Sequence, residues 1–284
     1  MKEERNLSIL MVSFVLTEIL ALIFANNIVI SNVVVEQYQP FGNENVVQAS
    51  GNSGVLILSV FLFTLFLIVM IKLGFGRIFR LIVIGFPIII LFIYLPFQLE
   101  IISSKILNLS ESLTNFVLTV SFLYVIVVII SIIEGIRTIV MSAFVLMTSL
   151  IGAFLAVSNS PPTLFVLPVA FAVYDIYAVF RGPLKILIKE NPIKPKKGDQ
   201  NLNKRFGLLL ARIGGFTIGA GDFTFYSMLV AAAFLIKGLV GAFFVGVAIN
   251  FGIVLTLMLL EKYKRPLPGL PIPIALGILT MLLV

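Results

Sequence analysis

Nine apolar stretches, each close to the length of a membrane-spanning helix, constrain the fold of this 284-residue chain more than any motif does. A helix crosses the ~30 Å hydrocarbon core of a bilayer with about 20 apolar residues. The stretches are residues 7–30, 54–71, 78–97, 113–133, 138–157, 162–180, 213–236, 239–260 and 267–284. Only 12% of all residues are charged, which is typical of membrane proteins. We therefore predict an all-α polytopic membrane protein with nine transmembrane helices.

The positive charges between these stretches predict the orientation of the helices. Cytoplasmic segments of membrane proteins carry an excess of Lys and Arg. If the N-terminus is cytoplasmic, 18 of the 20 Lys and Arg fall inside, and only Lys105 and Lys237 fall outside. We therefore expect a cytoplasmic N-terminus and an outside C-terminus. The net charge of +7 then requires no nucleic acid as partner, because anionic lipid headgroups attract such segments.

Two long polar connections interrupt the apolar stretches, and neither has the character of a separate domain. The first, residues 31–53, is rich in Asn, Gln and Gly, and we expect it to lack regular structure. The second, residues 181–212, contains turn signals such as Asn191-Pro192. We predict one membrane domain over residues 1–284, with spans one to six at 7–180, a cytoplasmic loop at 181–212 and spans seven to nine at 213–284.

The first apolar stretch, residues 7–30, is longer than the apolar core of a secretory leader, so we expect no cleaved signal peptide. The expected product is a multi-pass integral membrane protein, in the cell membrane if the source is prokaryotic. The third stretch contains Pro87 and Pro96, which should kink or end its helix.

The chain contains neither cysteine nor histidine, which excludes several enzyme chemistries. A cysteine nucleophile, a Ser-His pair, a His-ligated zinc site and a haem held by His or Cys all need residues that are absent. Proton transfer is left to carboxylates, Lys, Tyr and water. We expect no metal and no cofactor.

Three of the thirteen acidic residues fall inside predicted spans, namely Glu18, Asp175 and Asp222. Charged side chains at membrane depth are costly and by default mark a functional site. For Glu18 the favoured interpretation is a packed, hydrogen-bonded helix contact, since Thr17 is its neighbour on a helix that also carries Asn26.

Asp175 and Asp222 are predicted to lie at matching depth on neighbouring antiparallel helices. Asp175 comes six residues before Arg181, roughly 9 Å from the cytoplasmic end of span six at ~1.5 Å per residue. Span seven runs in the opposite direction, and Asp222 lies six to ten residues into it, roughly 9–15 Å from its cytoplasmic end. Two carboxylates at close range share a proton, so one can activate water while the other protonates a peptide carbonyl. This is aspartic protease chemistry.

The residues around both aspartates suit a site that admits a peptide, and each also has a packing interpretation. Gly219 and Gly221 permit close approach of a second backbone, as small residues also do in ordinary helix packing. Tyr174 can donate a hydrogen bond near Asp175 or pack through its ring. Four prolines between Pro266 and Pro273 prevent a regular helix start, and unwound backbone there can pair with a substrate.

Three short motifs resemble those of the presenilin and signal peptide peptidase family of intramembrane aspartyl proteases. They are Tyr174-Asp175, Gly219-Ala220-Gly221-Asp222 and Pro268-Gly269-Leu270-Pro271. These correspond to the YD, GxGD and PAL motifs of the family, and the number and order of spans correspond as well. The compact length resembles that of an archaeal presenilin homologue. The orientation favours the presenilin branch, because signal peptide peptidases are inverted.

The resemblance implies roles for nine residues. Asp175 and Asp222 are the implied catalytic pair. The implied site-shaping residues are Tyr174, Gly219, Ala220, Gly221, Pro268, Gly269 and Leu270. The implied substrates are transmembrane helices cut within the bilayer. Gly269 departs from the alanine of PAL and lacks one methyl group, which predicts a looser wall of the site.

Other interpretations remain open from the sequence. Intramembrane acids also line ion pathways, so a proton- or ion-coupled transporter or a leak channel is the main alternative, although no inverted repeat is detectable. A catalytically silent relative that binds membrane helices as a chaperone is another. A prepilin-peptidase-like enzyme also uses a GxGD aspartate but would lack the proline-rich motif of span nine. Natural substrates, cut positions, oligomeric state and partner subunits are not encoded in any recognisable pattern.

Overall fold

A computed structural model describes residues 2–32, 35, 39–42, 45–180, 208–213, 216–263 and 267–284. In this part the chain forms eight α-helices, a short π-helix and a two-stranded sheet. The helices are α1 (Lys2–Ile30), α2 (Val46–Lys72), α3 (Gly76–Glu100), α4 (Glu111–Glu134), α5 (Arg137–Ser158), α6 (Pro161–Phe180), α7 (Ala220–Tyr263) and α8 (Pro271–Leu283). The strands are β1 (Leu210–Ile213) and β2 (Phe216–Gly219), and the π-helix (Ile101–Ile106) directly follows α3.

Seven helices of the described part, α1 to α7, are long and apolar enough to cross a membrane. Helix α8 is equally apolar but has only 13 residues. Helix α7 has 44 residues and is interrupted at Gly238, whose φ of 72° and ψ of −168° are not helical. We call residues 220–237 α7a and residues 239–263 α7b. The chain is therefore a multi-pass integral membrane protein, as its hydropathy predicts.

The first six helices contain the six predicted spans between residues 7 and 180, and α7b contains the span 239–260. Helix α3 does not end at Pro87 or Pro96, because it runs on to Glu100. Helix α8 begins at Pro271, a few residues after the start of the predicted span 267–284. Its proline-rich beginning is not helical from 267 to 270, as the sequence predicts.

The expectation that residues 31–53 lack regular structure is wrong at the C-terminal end, because α2 already begins at Val46. The carboxamide oxygen of Asn45 accepts a hydrogen bond from the Gln48 N–H at 2.9 Å, so Asn45 satisfies one of the free donors of the first turn. Asn52 is fully buried and donates to the Gly42 carbonyl at 2.8 Å. The polar residues of this connection thus build a helix start.

The predicted span 213–236 is wrong at its N-terminal end, where a short β-hairpin interrupts the otherwise all-helical fold. Helix α7 begins at Ala220, and the residues before it form β2, which pairs antiparallel with β1. The register places Leu210 opposite Gly219 and Ile213 opposite Phe216. Thr217 and Ile218 are β-branched, which favours a strand over a helix. The apolar pattern of such a short stretch does not by itself distinguish a strand from a helix.

The predicted cytoplasmic loop, residues 181–212, lies mostly outside the described residues, which resume at 208. Its described end contributes β1. The N–H of Ala220 donates to the Leu209 carbonyl at 2.9 Å, which extends the pairing of the strands up to the first residue of α7. The hairpin therefore leads directly into the helix that carries Asp222.

The described residues pack as two compact units. The first unit contains α1, α3 from Arg80, the π-helix, α4, α5 to Phe154, both strands and α7 to Met228. In this unit, β1 and the π-helix contact α1. The second unit contains α2 with the first turn of α3, the end of α5, α6, α7 from Leu229 and α8. There, α2 and α8 both contact α6.

The junction between α7a and α7b depends on Gly238, because its backbone conformation is one that residues with a side chain rarely adopt. We expect Gly238→Ala to lower the free energy of unfolding by about 1–3 kcal/mol. Thermal unfolding of the purified protein in detergent would measure this. Gly54→Ala is the matched control, because a methyl group there meets no atom of the described residues within 4 Å. Equal melting temperatures for the two variants would contradict the prediction.

Candidate active site

Asp175 lies half-buried in the second half of α6, and its carboxyl contacts the backbone that precedes α8. The Leu270 N–H donates to Oδ2 of Asp175 at 3.1 Å. The backbone of Gly269 makes a further hydrogen bond to the same carboxyl. Since α8 begins at Pro271, the carboxyl lies at the N-terminal, positive end of that helix, where negative charge is stabilised.

The proline content of this segment explains why Asp175 contacts these particular residues. Proline has no N–H, so among residues 268–273 only Gly269, Leu270 and Ile272 can donate from the backbone. Asp175 bonds to two of these three. The structure thus brings the sixth-span motif and the proline-rich motif together, in one unit and through specific hydrogen bonds.

The other predicted site residues of the second unit, which contains Asp175, have packing contacts. Tyr174 is half-buried, and its ring meets that of Phe171 edge to face with centroids 6.5 Å apart. Leu270 is buried, whereas Pro268 and Gly269 are half-buried. The contact of Tyr174 matches the packing interpretation of its ring.

Asp222 belongs to the first unit, where it lies half-buried in the first turn of α7. The first four N–H groups of a helix have no partner within the helix, and the dipole makes this end positive. Asp175 and Asp222 are therefore each at the N-terminal end of a helix, Asp222 of its own and Asp175 of α8. This position is one physical reason why carboxyl groups are tolerated in apolar helices.

The two glycines of the Asp222 motif have few neighbours on the side where a side chain would point. Within the described part of the chain, a methyl group on Gly221 would meet no atom within 4 Å, and one on Gly219 would meet only the Gly221 nitrogen at 3.9 Å. Neither glycine has a positive φ. Ala220 between them is buried. Among the described residues, no contact therefore requires glycine at 219 or 221.

Aromatic rings fix the start of α7 in the first unit. Phe223, which directly follows Asp222, is fully buried. Its ring stacks on that of Phe14 in α1, with centroids 3.9 Å apart and an interplanar angle of 18°. Phe144 in α5 meets the same ring edge to face at 4.9 Å. Because consecutive residues of a helix have fixed relative directions, the position of Phe223 determines that of Asp222.

The backbones of α5 and α7a also touch directly. A methyl group on Gly152 would lie 3.0 Å from the Met228 nitrogen and 3.1 Å from the Thr224 carbonyl oxygen, and would overlap the Ser227 hydroxyl. Sequence reasoning missed both Gly152 and the Phe14 contact. A glycine in an apolar helix was a usable signal for the first, because small residues mark close helix contacts in membranes.

We expect Phe14→Ala to lower the free energy of unfolding by about 1–3 kcal/mol, because it removes a ring stacked on Phe223. This is less than the ~3–5 kcal/mol typical of such truncations in water-soluble cores, since lipid rather than water solvates the separated helices. Thermal unfolding in detergent micelles measures it. Phe116→Ala is the control, because the Phe116 side chain in α4 is 65% exposed. The prediction fails if both variants melt alike.

Glu18, the third acid within a predicted span, is buried in α1. The hydroxyl of its neighbour Thr17, also buried, donates to the Ser13 carbonyl at 2.8 Å. The interpretation of Glu18 as a packed, hydrogen-bonded helix contact stays a prediction. Across the described residues, no three acidic side chains come together as they would to hold a metal ion.

Comparison with known proteins relates these features to one family. The family model Presenilin matches residues 191–284, which include Asp222 and the proline-rich motif. Presenilin-B of Dictyostelium discoideum is 39% identical over 124 residues, or 41% of this chain. A presenilin-like protein of Arabidopsis thaliana is 36% identical over 85 residues, or 30% of this chain. The resemblance to the presenilin family is confirmed. The matches span only 24% and 21% of the two presenilins, about a quarter of their length or less.

The presenilin likeness extends to the fold. Two structures of a presenilin family intramembrane aspartate protease, in space groups C222 and P2, are similar with TM-scores of 0.62 and 0.63. Each similarity covers 96% of this chain, and 96% and 94% of the other chains, at 20% and 19% sequence identity. At this level of identity the likeness shows a shared fold, and it includes helices α1 to α6, which the family model does not match.

Proposed function

We propose that this chain is an intramembrane aspartic protease that hydrolyses peptide bonds within transmembrane helices of membrane proteins. The contact that carries the proposal joins the Asp175 carboxyl to the backbone of Gly269 and Leu270. This contact places the acidic side chain of Asp175 next to a non-helical backbone segment within the second unit. The presenilin resemblance of sequence and fold supports the same activity.

In this proposal Asp175 and Asp222 act as a pair on one water molecule. One carboxylate removes a proton from the water as its oxygen attacks the peptide carbonyl, and the protonated partner donates to the carbonyl oxygen. One carboxyl of the pair then protonates the nitrogen as the carbon–nitrogen bond breaks, and the other carboxylate takes a proton from a hydroxyl of the tetrahedral intermediate, so that the pair again holds one proton. No metal and no cofactor enters these steps. Both side chains are half-buried, which agrees with access for water and peptide.

The substrate must lose its helical structure at the bond that is cut, because helical N–H and C=O groups are engaged within the helix. In an apolar environment the freed groups need new partners. We propose that two features supply them. The non-helical residues 267–270 are one, and the outer edge of β2 is the other, since an edge strand can pair with an added strand. Gly219 and Gly221 leave space beside that edge.

We further propose that the chain crosses the membrane nine times, as α1 to α6, α7a, α7b and α8. The cytoplasmic N-terminus and outside C-terminus follow from the distribution of Lys and Arg. Residues 1–284 would act as a single membrane domain, in the cell membrane if the source is prokaryotic. The proposed partners are the lipid bilayer and transmembrane-helix substrates.

Cleavage of a single-span model substrate by the purified protein in detergent tests the activity. The expected products end inside the span, as sized by mass spectrometry, and are absent with Asp175→Ala or Asp222→Ala. The same preparations, reconstituted into vesicles, test the alternative of an ion pathway. An uncut set of substrates together with an ion flux that depends on these aspartates would overturn the protease in favour of a transporter or channel.

A further inference from the structure

Gly252, in the middle of α7b, lies against the first turn of α8. A methyl group there would lie 2.6 Å from the Cα and 3.0 Å from the nitrogen of Pro273, and 3.3 Å from the carbonyl carbon of Ile272. All three are backbone atoms, so no side-chain movement can make room for it. Any side chain at 252 must displace the beginning of α8.

The displaced turn is the one that holds Asp175. The Ile274 N–H donates to the Leu270 carbonyl at 3.0 Å, which closes the turn from 270 to 274. Pro271 and Pro273 fix two φ angles within it, so the turn moves as a body. At its beginning, the Leu270 N–H donates to the Asp175 carboxyl at 3.1 Å. Backbone contacts thus connect Gly252 to Asp175 through a single rigid turn.

We propose that Gly252 is a positioning residue for the reaction. Its lack of a side chain lets α7b contact the backbone of α8, which sets the place of the Leu270 N–H and thereby the orientation of the Asp175 carboxyl. The inference rests on the protease function proposed above. Gly252 acts only through α8 and takes no part in the proton transfers.

Gly252→Ala therefore changes the chemical step more than substrate binding. We expect kcat to fall about 10- to 100-fold, because a misplacement of about 1 Å at a reacting group costs up to that much. We expect KM to stay within about twofold. The measurement is steady-state cleavage of the model substrate by folded protein, selected by gel filtration and normalised to concentration.

Two glycine variants separate positioning from general damage. Gly277→Ala adds a methyl group to the α8 helix two turns beyond Leu270, where it would lie 2.8 Å from side-chain atoms of Ile249 and Leu229 rather than against the turn from 270 to 274. Gly85→Ala adds one in α3 where no described atom lies within 4 Å. Overpacking at Gly277 is expected to lower the melting temperature. Because neither variant presses on the turn that holds Asp175, we expect both to retain kcat within about threefold. A loss of kcat in Gly277→Ala equal to that in Gly252→Ala would overturn the positioning role.

Pro273→Ala tests the same turn without adding volume at Gly252. It replaces Gly252→Ala as the test if that variant does not fold. It frees one φ angle of the turn, so we expect a loss of kcat of about threefold or more at nearly constant KM. An unchanged kcat would overturn the inference. If the wild type and Gly252→Ala cleave the substrate equally well, the positioning role of Gly252 is wrong and the proposed protease function stands. If the wild type cuts nothing, the proposed function fails and the inference falls with it.

Discussion

Asp175→Asn and Asp222→Asn are each expected to lower the rate of substrate cleavage about a thousandfold or more, and the double variant is expected to be no worse than either single one. Residues that act as one catalytic unit are strongly non-additive, because removal of one makes the other useless. Asparagine keeps the shape of the side chain and an acceptor for the Leu270 N–H, so the fold should survive. Initial rates with equal amounts of folded protein measure the effect.

Glu18→Gln is the matched control for both aspartates, since Glu18 is also an acid within a helix and is buried. We expect it to retain cleavage within a fewfold of the wild type. If either aspartate variant keeps more than about a tenth of the activity, the two residues do not form a catalytic pair. Additive losses in the double variant would likewise assign them to independent steps.

Gly152→Ala is expected to lower the free energy of unfolding by about 1–3 kcal/mol, as overpacking of a closely packed interior does. The added methyl group overlaps the Ser227 hydroxyl and lies close to the Thr224 carbonyl oxygen. Since these residues belong to the first turns of α7, we also expect the cleavage rate to fall with the displacement of Asp222. Thermal unfolding in detergent and cleavage of the model substrate measure the two effects.

Ser227→Ala provides a specific test of this contact. In a Gly152→Ala, Ser227→Ala double variant the worst overlap is gone, so we expect part of the stability to return. The backbone contacts remain, so we expect the recovery to be incomplete. A double variant as unstable as the sum of the two single variants would show that the two residues do not interact.

The helices α1 to α6 could be predicted from the sequence because the bilayer fixes both the length and the apolar character of a spanning helix. The start of α7 could not, since the apolar pattern of a short stretch such as residues 216–219 does not distinguish a strand from the beginning of a helix. That the proline-rich motif borders Asp175 could be anticipated from its unwound backbone and from the family resemblance, but its hydrogen bonds to Asp175 could not. These hydrogen bonds depend on which residues between the prolines still have a backbone N–H to donate.

The packing around Asp222 could not be predicted for a different reason. In a water-soluble helix the buried face is apolar and the exposed face polar, but in a membrane both faces are apolar. Phe14 is buried whereas its neighbours Val15 and Leu16 are exposed, and no difference in hydropathy marks this. Thr17 and Glu18, which are also buried and lie one turn from Phe14, mark the interior face of α1, but the sequence does not tell which ring meets Phe14.

The empty space beside Gly219 and Gly221 means that the fold does not protect these two positions. A methyl group there would leave melting temperature, expression and gel-filtration profile nearly unchanged, because among the described residues it would meet at most the Gly221 nitrogen, at 3.9 Å. Screens that select for stable membrane protein would therefore accept such variants, including ones that no longer cleave. Damage at these positions becomes visible only when a substrate is present.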